Sequence, residues 1–161
     1  MHGAVRMAQN ADIPAIETIW NRVIALTTAT FTSEAKDLRH WLTAKTAAGE
    51  PVLVLDTDAR CTGFATYGTF RGGTGYAHVA EHTVMLAEDA QRGGGGRVLM
   101  HALYDQAIRH GKTAMIGGIS GENTAAIRFH AALGFTEVGR IPGAGRKFGR
   151  DLDLVLMHRK L

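Results

Sequence analysis

Four consecutive glycines, residues 93–96, lie between a long apolar segment and a stretch with helical periodicity. Such a run is costly because glycine loses more backbone entropy on folding than any other residue. Between a strand and a helix N-terminus, however, it leaves backbone amides uncovered at the positive end of the helix dipole. Phosphate groups bind favourably at such a position. A flexible surface loop is the alternative interpretation of the same run.

The segments on either side of the glycine run predict a strand–helix–strand unit. Residues 76–88 read as a long strand, and residues 113–120 read as a short apolar strand that is buried on both faces. The helix between them ends at His110 and Gly111. Its apolar stripe consists of Val98, Leu99, Ala102, Leu103 and Ala107. A connection of this kind predicts two parallel strands joined by a right-handed crossover.

The rest of the chain extends this unit into a mixed α/β sheet. The other predicted elements are a strand over 4–8, a helix that Asn10 or Asp12 caps and Pro14 starts, a helix from Ser33 to about Ala48, strands over 51–57 and 60–70, a helix from near Asn123 to Gly134, and strands over 135–141 and 152–160. A basic, glycine-rich loop is expected over 143–150.

The composition narrows the class of protein. A length of 161 residues predicts a single domain, residues 1–161. The net charge of +3 is too small to indicate nucleic-acid binding. No run of about 18 apolar residues predicts a membrane span, and the N-terminus lacks the apolar stretch of a secretory signal. A single cysteine, Cys61, suits a reducing cytoplasm, so we expect a cytoplasmic protein.

Two phosphate-binding motifs do not fit the glycine run. A dinucleotide fingerprint that starts at Gly93 or Gly94 would end on Val98 or Leu99 instead of glycine or alanine. The segment 110–113, HGKT, ends like a nucleoside-triphosphate loop, but Gln106 replaces its first glycine and a helix precedes it.

A third motif does fit. The segment QRGGGG, residues 91–96, resembles the pyrophosphate loop of the Gcn5-related N-acetyltransferases (GNAT), in which Gln or Arg is followed by two residues, Gly, one residue, and Gly or Ala. Asn123 with ALGF, residues 132–135, resembles the later helix of that family. Six further blocks resemble its phosphinothricin and methionine sulfoximine acetyltransferase branch: ADIPAIETIWN (11–21), TTATF (27–31), TFR (69–71), EHTV (81–84), AIRFHAALGF (126–135) and RKFGRDLDLVLM (146–157).

The resemblance implies the GNAT fold, a mixed seven-stranded twisted sheet with four helices and splayed central parallel strands. It also implies acetyl-CoA as co-substrate and no metal. The cofactor-binding residues that it implies are Val84, Met85, Leu86, Gln91, Arg92, Gly93, Gly94, Gly95, Gly96, Arg97 and Asn123. Amides near Val84 to Leu86 would polarise the thioester carbonyl. Asn123 has a rival role as a helix cap.

The resemblance further implies that acetyl passes to a primary amine by direct attack in a ternary complex. Glu81 matches the glutamate that removes a proton from the substrate ammonium, although a strand glutamate that faces solvent is the alternative. His130 occupies the place where many relatives have a tyrosine. It either donates a proton to the leaving thiolate or merely packs.

An amino-acid-like substrate should need cations and apolar walls. The candidate substrate-binding residues are Phe31, Phe70, Arg71, Glu81, His82, Lys147 and Arg150. Core packing competes for the two phenylalanines. Lys147 and Arg150 either line a neighbouring subunit's site, since relatives form homodimers, or belong to a solvated basic loop.

Three departures from the branch affect the choice of substrate. Asp151 replaces a tryptophan, Ala80 a threonine and Met85 a tyrosine. These changes favour methionine sulfoximine or methionine sulfone over phosphinothricin.

Other chemistries have less support. His78 and His82 would be about 13 Å apart on a strand, too far to share a metal ion. Cys61 has no histidine close in sequence that would activate it as a nucleophile. Acetylation of a protein N-terminus or lysine, and a non-catalytic acetyl-CoA-binding module, remain alternatives.

Overall fold

Seven strands form one mixed sheet in the order β1-β2-β3-β4-β5-β7-β6. The computed structural model describes residues 3–161. The strands are β1 (Ala4–Met7), β2 (Val52–Thr57), β3 (Arg60–Thr69), β4 (Val79–Leu86), β5 (Ala114–Ser120), β6 (Thr136–Lys147) and β7 (Arg150–Lys160). Strands β4 and β5 are parallel, and the other neighbours in the sheet are antiparallel.

Four helices cover the two faces of the sheet: α1 (Ile13–Leu26), α2 (Trp41–Ala47), α3 (Gly95–Arg109) and α4 (Thr124–Ala132). Strand β2 is buried on both faces because its side chains alternate between two cores. Leu53 and Leu55 pack in the cluster that contains α3, whereas Val52 and Val54 pack in the cluster that contains α1. Among residues 3–161, the helices include none with the length and apolarity needed to cross a membrane.

The predicted strand–helix–strand unit is confirmed as β4–α3–β5, and its two strands diverge. They pair only at Val79 with Ala114, Ala80 with Met115, and Glu81 with Ile116. Beyond Glu81, β4 continues beside β3 and β5 continues beside β7. The predicted splay is therefore confirmed, and it opens a gap in the middle of the sheet.

The predicted start of the second helix at Ser33 is wrong, because α2 begins only at Trp41. Side chains of α1 hold the preceding segment in an irregular path. Asn21 bonds both the amide and the carbonyl of Lys36, and Glu17 accepts a hydrogen bond from the amide of Leu38. Tertiary hydrogen bonds therefore replace those of a helix.

The predicted loop over 143–150 is also wrong, since most of it is strand. Strand β6 extends to Lys147 after an irregularity between Ile141 and Gly145, and β7 begins at Arg150. A two-residue turn of Phe148 and Gly149 joins them, with φ values of 51° and 74°. Strand β4 starts three residues later than predicted, after a short 3-10 turn over Thr74–Tyr76.

Candidate active site

A cavity of about 780 Å³ opens where β4 and β5 diverge. It extends to the N-terminus of α3 and to one side of α4. The predicted site residues that line it are Glu81, His82, Val84, Met85, Leu86, Gln91, Arg92, Gly94, Gly96, Arg97, Asn123 and His130. The splay therefore brings together candidates from one strand, one loop and two helices.

The loop before α3 presents a row of uncovered amides. Among residues 3–161, no acceptor is found for the backbone N–H groups of residues 92–96. Arg92 and Gly94 have positive φ values of 67° and 82°, which turns the loop back on itself. Successive amides in such a turn form a concave site for an anion, and the helix dipole adds to its attraction.

The last two glycines of the run have a packing role. A Cβ on Gly95 would lie 2.4 Å from Cδ2 of the buried Leu55, and one on Gly96 would lie 3.2 Å from Cζ of Phe129. The absence of side chains lets α3 approach both β2 and α4. Glycine is therefore needed here for the position of the helix as well as for access to the amides.

Glu81 is half-buried at the last position where β4 pairs with β5. Its carboxylate has no hydrogen-bond partner among the described residues, and its Oε1 lies 3.2 Å from where a Cβ on Gly118 would be. Burial raises the pKa of Glu81 because the charged carboxylate loses solvation. An unpaired carboxyl group with a raised pKa in a cavity is suited to accept a proton.

His82 and His130 form a buried pair on the α4 side of the gap. Their rings are nearly parallel at 15°, and their Nε2 atoms are 3.2 Å apart. His130 donates its Nδ1–H to the carbonyl of Ala126, at 2.7 Å. In the neutral form its Nε2 must then accept a hydrogen bond from His82 Nε2–H. Nδ1 of His82 is left buried without a partner among the described residues.

Burial lowers the pKa of both histidines, that of His82 to about 3. The pair is therefore uncharged near neutral pH. Gly117 makes room for it, since a Cβ there would lie 3.0 Å from Nε2 of His82 and 3.6 Å from Cδ2 of His130.

Asn123 lines the cavity and also caps helix α4, the two roles between which the sequence left a choice. Its Oδ1 accepts a hydrogen bond from the amide of Ala126, at 3.1 Å, and so caps α4. Because the cap uses only the oxygen, the side-chain NH₂ group stays available to a ligand.

The other candidates do not line the cavity. Arg71 is exposed, with its guanidinium over the ring of Tyr76. Phe70 is partly buried near it. Arg150 is exposed and forms a two-pronged ion pair with Glu122, at 2.7 and 2.8 Å. Gly93 and Gly95 contribute their amides to the loop but lie outside the cavity lining.

Lys147 and Phe31 are also outside the cavity lining, and they lie close together in the fold. Lys147 is buried, and its ammonium donates to the carbonyls of Thr27 and Thr30. The ring of Phe31 covers Gly145.

Several lining residues were not singled out from the sequence. They are Trp20, Val23, Ala29, Thr30, Thr32, Lys36, Gly118, Ile119, Ala125 and Phe129. Lys36 places a cation 4.8 Å from the ring centroid of Trp20, inside the cavity wall. The block TTATF gave a partial signal for the wall formed by Ala29 and Thr30. Residues 3–161 contain no group of three or more His, Cys, Asp or Glu side chains that could hold a metal ion.

The cavity thus contains both an anion site at the N-terminus of α3 and an unpaired carboxyl group at Glu81. The fold and the site define an α/β protein that can hold a phosphorylated ligand in the same cavity as a proton acceptor.

Comparison with known proteins identifies the family. A profile described as the acetyltransferase (GNAT) family matches residues 17–135. The L-amino acid N-acyltransferase MnaT of Escherichia coli is 38% identical over 161 residues, which is 98% of this chain and 94% of that protein. An L-methionine sulfoximine/L-methionine sulfone acetyltransferase of Salmonella typhimurium is 38% identical over 160 residues, with the same shares covered.

A solved structure agrees with the sequence relatives. The GNAT superfamily phosphinothricin acetyltransferase of Sinorhizobium meliloti, in complex with acetyl-CoA, superposes with a TM-score of 0.95 at 28% identity. The match covers all of this chain and 89% of that chain. This chain belongs to the GNAT acetyltransferase family and is an acetyl-CoA-dependent N-acetyltransferase.

Proposed function

We propose that the enzyme acts as one domain and transfers acetyl from acetyl-CoA to the primary amine of a small amino-acid-like substrate. The acceptor is of the methionine sulfoximine, methionine sulfone or phosphinothricin type, and the amine attacks directly in a ternary complex. The observation that carries this proposal is the unpaired Glu81 carboxyl group in the cavity between the splayed strands. The names of the relatives support the substrate class.

The pyrophosphate of the cofactor would lie on the amides of residues 92–96, with Gln91, Arg92 and Arg97 adding donors and charge. Its pantetheine arm would follow the edge of β4 that faces β5, between Thr83 and Leu86, where among residues 3–161 no strand pairs with β4 on that side. Bound acetyl-CoA supplies the activated acetyl thioester. The protein orients that group beside Glu81.

Glu81 would serve as the general base. An amino-acid ammonium cannot attack until it loses a proton. Because burial raises the pKa of Glu81 toward neutrality, this carboxylate is a better proton acceptor than an exposed glutamate. Gly118 leaves space beside the carboxylate for the acceptor or an ordered water.

For His130 we propose the packing role. Its Nδ1–H is directed at the Ala126 carbonyl, and its Nε2 accepts from His82, so the neutral ring has no proton directed at a thiolate. A thiol with a pKa near 8.5 is a leaving group that needs little protonation. The pair then supports the cavity wall. In this role His82 bonds to His130 and does not contact the substrate.

The acceptor pocket favours methionine sulfoximine or methionine sulfone. Of the two departures on β4, Met85 places an apolar side chain in the cavity lining, whereas Ala80 is fully buried in the core cluster that contains α3. Asp151 is exposed and pairs with Arg146, at 2.7 Å.

Arg71 and Phe70 remain candidates for binding the substrate from the rim. Lys36 is a second candidate cation for the α-carboxylate, because it lies in the cavity wall.

The test is a thiol-release assay with acetyl-CoA over a panel of amino-acid analogues and a parallel panel of peptides. We expect turnover with methionine sulfoximine or methionine sulfone and none with peptides. Glu81→Gln should lower kcat/KM by about a hundredfold or more, since a positioned general base contributes that much. Glu137→Gln, at an exposed glutamate outside the cavity, is the matched control.

Three results would contradict the proposal. Preference for peptides would indicate a protein acetyltransferase. Undiminished turnover by Glu81→Gln would remove Glu81 from the mechanism. Binding of acetyl-CoA without any turnover would indicate a non-catalytic module.

We also propose a cytoplasmic homodimer. Strand β6 is at the edge of the sheet, and Val138, Ile141 and Phe148 are 60%, 46% and 59% exposed there. An apolar edge strand of this kind is suited to pair with a second copy. Light scattering should give twice the chain mass, and Val138→Arg should halve it, whereas Ile108→Arg on α3 should not. A monomeric wild-type protein would refute the dimer.

Cell fractionation tests the compartment, for which the lone Cys61 is the supporting observation.

A further inference from the structure

The loop between α1 and α2 forms one wall of the cavity. Ala29, Thr30 and Thr32 line it, together with Trp20 and Val23 from α1. We call residues 27–33 the α1–α2 loop. Among the described residues, this loop has no pairing with a strand of the sheet, so side-chain contacts must fix its position.

Lys147 supplies the most unusual of these contacts. The residue is 3% exposed, and its ammonium donates to the carbonyl of Thr27, at 2.6 Å, and to that of Thr30, at 2.8 Å. No carboxylate within ion-pair distance accompanies it among the described residues. Burial of a cation is unfavourable unless hydrogen bonds compensate for it, so the two carbonyls are essential partners. Thr27 also ends α1, where a cation interacts favourably with the helix dipole.

Two further contacts join the same hairpin, β6–β7, to the loop. The ring of Phe31 rests on Gly145, where a Cβ would lie 2.2 Å from Cδ2 of Phe31. Glu122 receives the two-pronged ion pair from Arg150 and also accepts a hydrogen bond from Oγ1 of Thr28, at 2.6 Å. The loop is therefore held at four of its first five residues, Thr27, Thr28, Thr30 and Phe31.

We propose that the β6–β7 hairpin positions the α1–α2 loop as the acceptor wall of the cavity, and that Lys147 is a positioning residue for binding of the amine substrate. Lys147 acts through the carbonyls of Thr27 and Thr30 and does not touch the substrate. The inference rests on the proposed function, since it assigns this wall to the acceptor. The cofactor-binding candidates belong to other elements, the turn before α3 and the N-cap of α4.

The experiment compares Lys147→Met with Lys147→Arg, Thr28→Val and a matched control. Lys112→Met is the control, because Lys112 also donates to a backbone carbonyl, that of Ala77 at 2.7 Å, which is not part of the α1–α2 loop. For Lys147→Met we expect KM of the amine to rise about tenfold, with KM of acetyl-CoA changed less than about twofold. Lys147→Arg should restore most of the amine affinity. Thr28→Val is at a partly exposed position, so it should fold and shift the amine KM in the same direction.

Hydrogen exchange of the α1–α2 loop gives a readout that does not require activity. Exchange over residues 27–33 should be faster in Lys147→Met and unchanged in Lys112→Met. Unchanged exchange with unchanged KM values, or an equal rise of both KM values, would overturn the positioning role. If the wild-type enzyme acetylates no amino-acid analogue, the proposed function fails, whereas the exchange comparison still decides whether Lys147 fixes the loop.

Discussion

Three of the four glycines at residues 93–96 meet different structural requirements. Gly94 has φ of 82°, Gly95 lies against Leu55, and Gly96 lies against Phe129. Gly93 has open space, since the nearest atom to a Cβ there is the Ala90 carbonyl oxygen, at 3.8 Å. The run is therefore not uniformly intolerant of side chains.

This difference predicts opposite outcomes for two neighbouring alanine substitutions. Gly94→Ala should lower the free energy of unfolding by about 1 to 2 kcal/mol, because a Cβ disfavours the left-handed conformation. Gly93→Ala should change it by less than about 0.5 kcal/mol. Urea denaturation monitored by circular dichroism measures both. Equal destabilisation by the two variants would contradict the assignment of strain to Gly94.

The buried histidine pair predicts a dependence of stability on pH. Burial lowers the pKa values of His82 and His130 in the folded state below the ordinary value near 6.5. The unfolded chain therefore binds more protons below pH 6.5, so stability present above that pH is lost as the pH falls. For His82, whose pKa in the folded state is about 3, the slope should approach about 1.4 kcal/mol per pH unit below pH 6.5, and the lowered pKa of His130 should add to it in the same direction.

Urea titrations between pH 7.5 and 5 test this prediction. The double variant His82→Gln/His130→Gln should flatten the slope, and His101→Gln, at an exposed histidine, should not. A wild-type stability that is constant over this range would show that the pair does not titrate on unfolding.

Sequence reasoning singled out individual residues but not pairs that are distant in the chain. The resemblance located Glu81 and the loop over residues 91–97, and the fold brings them to one cavity. The contact of His82 with His130 spans 48 residues, and those of Lys147 with Thr27 and Thr30 span 120 and 117. Such contacts depend on strand register and helix docking, neither of which local pattern specifies.

At the scale of secondary-structure elements, the β2–β3 hairpin has an unfavourable turn residue. Asp58 and Ala59 have φ values of 52° and 62°, the combination of a type I′ turn. The hairpin itself was predictable from two strand patterns separated by these two residues. Asp-Gly is the favoured pair in such turns, so alanine at the second position is strained.

Ala59→Gly should therefore stabilise the protein by about 0.5 to 1 kcal/mol. Ala131→Gly, on the exposed face of α4, is the control of opposite sign and should destabilise by a similar amount. Thermal denaturation compares the two. A loss of stability in both variants would mean that the β2–β3 turn carries no strain.

Errors in predicting elements occurred where tertiary contacts outweighed local preference. Ser33 is an acceptable helix cap, yet Asn21 and Glu17 bind the backbone that follows it. The glycines of residues 143–149 suggested a loop, but Gly145 is a strand residue covered by Phe31. In both cases the deciding atoms lie in α1 or directly after it.

At the scale of the whole molecule, the function depends on a sheet that is incomplete in the middle. Strands β4 and β5 share three pairs of residues and then separate, and the separation places Glu81 within the cavity. Hydrophobic periodicity predicted both strands but carries no information on where their pairing ends. Only the family resemblance predicted the splay.

The most direct test of this account is a titration of ¹⁵N-labelled protein with desulfo-CoA, followed by amide NMR. A chain of 17.3 kDa is well suited to this measurement. We predict that the largest chemical-shift changes occur at the amides of residues 92–96 and along β4 from Thr83 to Leu86. An absence of shifts, or shifts confined to other surfaces, would contradict the claim that these uncovered amides and the open strand edge hold the cofactor.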